Sequence, residues 1–380
     1  MLKKFCILLV ALSGLLVACN ESNTQTKSGT DKKIHVAVFN GNGASPVCVL
    51  ETREALKIDD DIVPSEITAA QIAAGALDTV DVLVFPGGSG SKELNNLGTI
   101  GAQKVKEFVQ EQGKGIVGIC AGGYLLSTTP TYPSLQIIDA KNIDREHYSR
   151  GRGLVEIKLT EEGERIFPEL KGKRAFLQYY DGPILAAVDS SDIKYVEIGK
   201  YVTDIHSNPG TPKGITPGKT VLLYQQVGKG RVFVSGGHPE ATQGYRWMVA
   251  RMARMVSDGK IKKYSGKWYR PDLYSSELMF TPGLKKKEKQ LFWKLFDTDA
   301  KVKIAAIDTL FYQMHSRPSV RWSIGLLRDS IPAVRAEAAR ILKDAEYTFA
   351  LPDLKEAYGK EQDKDVAKVM ESAIEYLSQF

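Results

Sequence analysis

Short apolar runs alternate with amphipathic segments over the first third of the chain. The runs at residues 34–39, 62–67, 80–85 and 115–119 have the length and the β-branched content of buried strands. The segments at 47–56, 68–77 and 100–112 between them repeat apolar residues at a helical period. This alternation predicts a doubly wound α/β fold with a parallel sheet, in which ligands bind at the carboxyl ends of the strands.

The pattern changes after residue 130. Shorter apolar runs at 135–138, 155–159, 176–179, 184–188, 195–202 and 220–227 predict further strands, and 241–256 predicts a helix that ends the domain. In the last ninety residues Val302, Val334 and Val366 recur at one spacing, each followed at four and eight positions by small or apolar residues. The repeat resembles HEAT-type helical hairpins, which stack into a small α-solenoid and bind protein partners. A plain helical bundle is the alternative.

The N-terminus carries a targeting pattern. Met1-Leu2-Lys3-Lys4 is followed by an apolar stretch at 5–17 that is too short to span a bilayer, which indicates a signal peptide. Leu16-Val17-Ala18-Cys19 resembles a bacterial lipobox, in which Cys19 is lipidated. The prediction is a lipoprotein of the bacterial cell envelope, anchored through Cys19 by a polar tether at 20–32. The alternative is an ordinary cleaved signal peptide in which Cys19 is incidental.

Composition and charge fit an ordinary globular protein with two domains. The chain has 380 residues, 25% of them charged, and a formal net charge of +6. No Arg-rich or aromatic-interleaved stripe accompanies that charge, so the sequence does not predict nucleic-acid binding. The predicted boundaries are a signal peptide at 1–19, the tether at 20–32, an α/β domain at 33–257, a basic linker at 258–289 and helical repeats at 290–380.

The cysteines also limit the chemistry. Cys6 lies in the predicted signal peptide and Cys19 in the lipobox, which leaves Cys48 and Cys120 as thiols. We expect two free thiols rather than a disulfide, because strand ends and loops rarely meet the separation that a disulfide needs. No Cys or His pair has metal-ligand spacing, so neither a metal nor another cofactor is predicted.

The candidate chemistry centres on Cys120. It follows the apolar run 115–119 and precedes a helix-compatible stretch, so it lies at a strand-turn-helix elbow whose helix N-terminus favours a thiolate. Downstream, His238 ends a strand, and Glu240 follows two residues later. Taken singly, a buried cysteine is usually inert and a lone histidine is usually structural. Together they predict a nucleophile, Cys120, a base, His238, and an orienting carboxylate, Glu240.

These residues carry a resemblance. The segments 85–88, 120–124, 178–183 and 228–240 occur in the order found in the class I glutamine amidotransferase-like superfamily. Within it, residues 33–255 resemble the domain at the N-terminus of fungal biotin-protein ligases. The resemblance implies a flavodoxin-like sheet and an oxyanion hole made by the amide of Gly87 or Gly88 with that of Ala121. It also implies a pocket that is shaped by the side chains Tyr124, Tyr180 and Asp181.

Two functions follow. The first is a cysteine-dependent amidase or hydrolase that acts on a C–N bond of a small-molecule or peptide amide, with its substrate unknown. Glutamine hydrolysis is not predicted, because Tyr124 stands where the glutamine-using members of the superfamily carry Gln, and nothing in the sequence resembles a synthase or a biotin ligase catalytic domain. The second is a non-catalytic ligand-binding or scaffold lipoprotein that recruits a partner through its repeats.

Overall fold

The computed structural model describes residues 33–380. The predicted signal peptide, the lipidation site Cys19 and the tether lie outside the described residues. Among residues 33–380, no helix has both the length and the apolar character needed to cross a membrane.

Twelve strands form one sheet in the described part of the chain, and its main path runs β12-β6-β9-β10-β11-β4-β3-β1-β2. Their bounds are β1 (Ile34–Phe39), β2 (Ile62–Ile67), β3 (Val82–Phe85), β4 (Gly115–Ile119), β5 (Ala140–Asn142), β6 (Arg152–Leu159), β7 (Ala175–Tyr180), β8 (Leu185–Ala187), β9 (Val196–Tyr201), β10 (Thr220–Val227), β11 (Gly230–Ser235) and β12 (Leu278–Met279).

One half of the sheet is parallel and contains the predicted doubly wound pattern. Parallel pairing joins the neighbouring strands β2, β1, β3, β4 and β11. Strand β10 pairs antiparallel with β11, and the antiparallel half of the sheet begins there. Every residue of β3 and β4 is buried, as expected for central strands that are covered on both faces. The helices of this half are α1 (Pro46–Leu56), α2 (Ala69–Ala73), α3 (Gly90–Gln110), α4 (Ala121–Leu126) and α6 (Trp247–Ser257), whereas α5 (Glu161–Ile166) packs against β9 in the antiparallel half. The predicted α/β fold class is confirmed.

One predicted strand is replaced by a loop. Residues 135–138 are apolar and buried in part, but they pair with no strand. Instead the backbone N–H groups of Leu135 and Ile137 donate to the carbonyl oxygens of Leu125 and Leu126 at the end of α4. The loop thereby satisfies the carbonyls that a helix end leaves unpaired, a tertiary role that apolar periodicity alone does not reveal.

The C-terminal part is a stack of helices, as the repeat predicted. Its helices are α7 (Pro282–Lys294), α8 (Ala300–Asp308), α9 (Arg317–Leu326), α10 (Pro332–Asp344), α11 (Leu351–Lys360) and α12 (Lys364–Leu377). Val302, Val334 and Val366 lie near the starts of α8, α10 and α12, and α10 packs against both of the others. Val334 and Val366 are buried in one apolar core, which confirms HEAT-like stacking.

The segment between the two parts is packed rather than free. Tyr264, Trp268 and Tyr274, all within the predicted linker 258–289, are buried in the core of the α/β part. Strand β12 adds to the edge of the sheet by pairing with β6, and α7 begins inside the predicted linker. Across the contact between the two parts, Gln178 Nε2 donates to the carbonyl oxygen of His315 at 2.9 Å. The repeats therefore lie directly against the sheet.

Candidate active site

Cys120 occupies the elbow between β4 and α4. Its backbone has φ 51° and ψ −102°, a conformation that costs a non-glycine residue about 1–3 kcal/mol. The turn is tight enough that a Cβ on Gly122 would lie 2.3 Å from the carbonyl oxygen of Phe85, so only glycine fits there. The N–H of Cys120 donates to the carbonyl oxygen of Ser235 at 2.8 Å, which fixes the elbow to β11. The thiol is therefore held at the carboxyl end of the parallel strands.

His238 and Glu240 follow β11 at the same edge of the sheet. The N–H of His238 donates to the carbonyl oxygen of Gln178 at 2.7 Å. Its Nδ1 lies 2.6 Å from Glu240 Oε1, and the two residues are only 2% and 1% exposed. The structure thus places a carboxylate where it fixes the orientation of the imidazole.

The charges around His238 favour its protonated form. Burial lowers the pKa of this imidazole, but the negative charges at Cys120 and Glu240 outweigh burial and raise the pKa well above its ordinary value. Burial likewise raises the pKa of Glu240, yet the positive charge of His238 holds it below its usual range. Nε2 of His238 is buried and has no hydrogen bond of good geometry within residues 33–380, although the Cys120 thiol lies close enough to act on its pKa.

Two backbone N–H groups near the thiol have no partner in the local secondary structure. Gly88 and Ala44 pair in an isolated antiparallel bridge. The hydrogen bonds of this bridge are made by the residues on either side of Gly88 and Ala44, so the N–H of Gly88 takes no part in them. Ala121 is the first residue of α4, where an N–H has no partner within the helix. Both residues border the same cavity as Cys120, of about 1200 Å³. Two such donors can bind one developing oxyanion.

Gly87 and Gly88 have different roles at the site. A Cβ at this position would lie 2.7 Å from Cε1 of His238 and 2.8 Å from Sγ of Cys48. The residue borders neither cavity that contains Cys120. Gly87 therefore allows the imidazole and a second thiol to approach the loop, and Gly88 is the better candidate for the oxyanion hole.

The three predicted pocket residues line the large cavity. The hydroxyl of Tyr124 donates to the carbonyl oxygen of Asp181 at 3.3 Å, and the ring of Tyr180 meets that of His238 edge-on at 6.1 Å between centroids. The Asp181 carboxylate accepts a hydrogen bond from the N–H of Gly151 at 2.8 Å, and burial raises its pKa. Its side chain is thus engaged by a neighbouring loop, and it shapes the cavity wall.

Two residues that the sequence did not single out complete the site. Cys48 lies in the first turn of α1, and Arg317 is the first residue of α9 in the helical repeats. Arg317 Nη2 donates to Cys48 Sγ at 3.3 Å and lies 3.5 Å from Glu240 Oε1. The same guanidinium forms a buried ion pair with Glu51. The repeats therefore supply a positive charge to the site of the α/β part.

Cys48 is a thiol with a lowered pKa. Both it and Cys120 are free and buried. Burial raises the pKa of Cys48, but the charge of Arg317 and a contact with His238 outweigh burial and lower it. Cys48 could have been suspected from sequence, because it follows the first strand at the carboxyl edge of the sheet. No local pattern marks Arg317.

Cys48, His238 and Glu240 also form a group with metal-ligand chemistry. Their ligand atoms all lie within 4.8 Å of one another, although the spacing along the chain predicted no metal site. The guanidinium of Arg317 is already in contact with two of the three. A divalent cation would meet its like charge there, so the arrangement favours a cluster of ion-paired side chains.

Both the α/β part and the helical repeats of this chain are similar to known proteins. Residues 34–135 match the family model described as Biotin-protein ligase, N terminal, and residues 288–375 match the model described as HEAT repeats. The chain is 25% identical over 240 residues to the Biotin–protein ligase of Schizosaccharomyces pombe, an alignment that covers 54% of this chain and 33% of that protein. The chain thus spans about a third of its curated relative. The predicted resemblances to the ligase N-terminal domain and to HEAT repeats are confirmed.

Solved structures show more distant similarity. A β-galactosidase from Bacillus circulans sp. alkalophilus matches with a TM-score of 0.36 and 16% identity, over 64% of this chain and 32% of that one. A cytoplasmic protein from Salmonella typhimurium matches with a TM-score of 0.39 and 12% identity, over 58% of this chain and 98% of that one. At this level neither structure indicates a function.

One further acid lies beneath the site. Glu93, in the first turn of α3, is fully buried, and neither of its carboxylate oxygens has a hydrogen-bond partner among the described residues. Burial, with a smaller contribution from the charge of Cys48, raises its pKa to about 8. The folded protein therefore holds Glu93 protonated at neutral pH.

This proton makes stability depend on pH. An unfolded glutamate titrates near pH ~4.3, so between roughly pH 4.3 and 8 the folded state binds one proton more at Glu93. The free energy of unfolding should then fall by about 1.4 kcal/mol per unit as pH rises through that window. Glu93→Gln should remove this contribution. Urea unfolding at pH 5, 6, 7 and 8 measures the difference between wild type and variant; parallel curves would contradict the assignment.

The contact between Arg317 and Cys48 gives a second prediction. Arg317→Gln removes the charge that lowers the pKa of Cys48, so the midpoint of its alkylation should move to higher pH. Iodoacetamide labelling across pH, read by mass spectrometry of the Cys48 peptide, measures the midpoint independently of access. Arg328→Gln, on an exposed part of the repeats, is the matched control. An unchanged midpoint in Arg317→Gln would refute the contact.

Proposed function

We propose that this chain is a cysteine hydrolase that cleaves an amide C–N bond. What supports the proposal is the presence, around the Cys120 thiol, of the His238–Glu240 pair and of the amides of Gly88 and Ala121, at the point where two cavities meet. Each element of acyl transfer has a candidate: a nucleophile, a proton carrier, its orienting carboxylate and two oxyanion donors. The name of the matched relative describes a ligase, but the match covers a third of it, and we do not propose ligation.

The reaction follows from this geometry. The sulfur of Cys120, as thiolate, bonds to the carbonyl carbon, and the oxygen takes up the electron pair while it accepts hydrogen bonds from Gly88 and Ala121. The C–N bond then breaks, and the His238 imidazolium gives its proton to the leaving nitrogen. Water next attacks the thioester with His238 as the base, which releases a carboxylic acid and restores the thiolate. Glu240 stabilises the imidazolium before it gives up its proton and again after it has taken one from water.

We also propose that Cys19 carries a lipid that anchors the domain to a bacterial membrane from outside the cytoplasm. The support is the charged start, the short apolar stretch and the lipobox-like residues 16–19. In this arrangement the helical repeats would present the site to a protein partner in the envelope. Metabolic labelling with an alkyne fatty acid tests the anchor: Cys19→Ser should abolish the label and Cys6→Ser should leave it.

The hydrolase proposal is tested with 4-nitrophenyl acetate, an activated acyl donor that needs no specific pocket. Wild type should release a burst of nitrophenolate and carry an acetyl group on the Cys120 peptide. In Cys120→Ala the nitrophenolate burst should be smaller by about a hundredfold or more. In Cys48→Ala the acetyl group should still be found on Cys120. If acetyl transfer to Cys120 is no faster than to free cysteine, the hydrolase is refuted and the ligand-binding scaffold is favoured.

The charge of Glu240 should affect the pH dependence of the acylation rate. Because Glu240 helps to raise the pKa of His238, Glu240→Gln lowers that pKa and should shift the alkaline limb of the acylation rate to lower pH. The matched control is Glu161→Gln on the exposed first turn of α5. A rate that falls uniformly, with no shift of the limb, would contradict the orienting role and leave only a structural one.

A further inference from the structure

Cys120 lies where two cavities meet. The larger, about 1200 Å³, is walled mainly by the α/β part. The smaller, about 260 Å³, lies against α9 of the helical repeats and has room for roughly nine groups the size of a water molecule. Cys120, Gly88 and Tyr180 border both. A substrate whose scissile bond reaches Cys120 therefore extends into a large space on one side and a small one on the other.

The groups that act on the two ends of the bond lie on different sides. Of the two candidate oxyanion donors, Ala121 borders the larger of these two cavities alone and Gly88 borders both, whereas His238 borders the smaller alone. The carbonyl oxygen must point to the oxyanion donors, and the leaving nitrogen must face the imidazolium that protonates it. The acyl part of the substrate then occupies the larger cavity, and the leaving amine occupies the smaller.

The smaller cavity carries a free positive charge. Of its two arginines, Arg317 is already paired with Glu51 and touches Glu240. Arg321 lies one helical turn further along α9, is exposed at the cavity, and makes no hydrogen bond or ion pair with any residue in 33–380. The titratable side chains that share the cavity with it are Cys48, Cys120, Tyr180, His238 and Arg317. No carboxylate borders this space, so an anionic group entering it meets Arg321 without a competing side-chain acid.

We propose that the leaving group is an α-amino acid whose free carboxylate pairs with Arg321. The inference rests on the hydrolase function proposed above and specifies its substrate as an amide between an acyl group and the nitrogen of an amino acid. Hydrolysis breaks that C–N bond; water supplies the oxygen of the acid product, and the nitrogen leaves as the amine of the free amino acid. A planar guanidinium matches a carboxylate through two parallel hydrogen bonds, which favours this leaving group over a neutral amine of similar size.

Two acetate esters test the leaving-group side separately from the acyl side. One is 4-nitrophenyl acetate and the other carries a carboxylate on the nitrophenyl ring, and each rate is divided by the rate with free cysteine. We expect wild type to prefer the carboxylated ester by about tenfold in kcat/KM. Arg321→Gln should reduce the preference to about one, and Arg321→Lys should keep part of it. Arg328→Gln, an arginine on another face of the repeats, should keep all of it.

The outcomes separate the two proposals. Absence of Cys120-dependent release from both esters refutes the hydrolase itself. Release from both esters without a preference overturns the amino-acid inference and leaves the hydrolase standing. A preference that survives Arg321→Gln also overturns it, because the carboxylate would then be bound elsewhere.

Discussion

A single guanidinium, largely shielded from solvent, balances the charges of this site. Arg317 contacts Glu51, Cys48 and Glu240, and each of these groups would be costly to bury as an anion without it. Removing one partner of a buried ion pair typically destabilises a protein by about 3–5 kcal/mol, because the other charge is left uncompensated. The anionic cluster around His238 is therefore stable only while the helical repeats stay docked on the sheet.

This dependence joins the two parts of the chain at the candidate site. The α/β part supplies the elbow, the imidazole and the candidate oxyanion donors, while α9 of the repeats supplies the balancing charge and one wall of the smaller cavity. A hydrogen bond from the side-chain amide of Gln178 to the carbonyl oxygen of His315 holds the same region of the repeats against β7. A change in the position of α9 would alter the charge at Cys48 and the space available beside Cys120 together.

Features formed by residues close together in the sequence could be predicted, whereas contacts between distant residues could not. Cys120 was predictable from a strand-turn-helix pattern within a dozen residues, and His238 with Glu240 from a strand end. The contact of Arg317 with Cys48 joins residues 269 positions apart, and it exists only because α9 packs against the α/β part. The apolar run at 135–138 was misassigned for a similar reason, since its backbone pairs with the end of α4. Cys19 lies outside the described residues and stays a prediction.

The protonation state of His238 is the most direct test of this account. Nitrogen-15 NMR of histidine-labelled protein distinguishes imidazolium from both neutral tautomers, and His238→Gln assigns the signal. The account predicts that His238 remains an imidazolium through neutral pH and titrates well above the ordinary value near pH ~6.5. A His238 ring that is neutral at pH 7 would show that the surrounding anions do not control it, and would contradict the charge balance on which the proposed reaction depends.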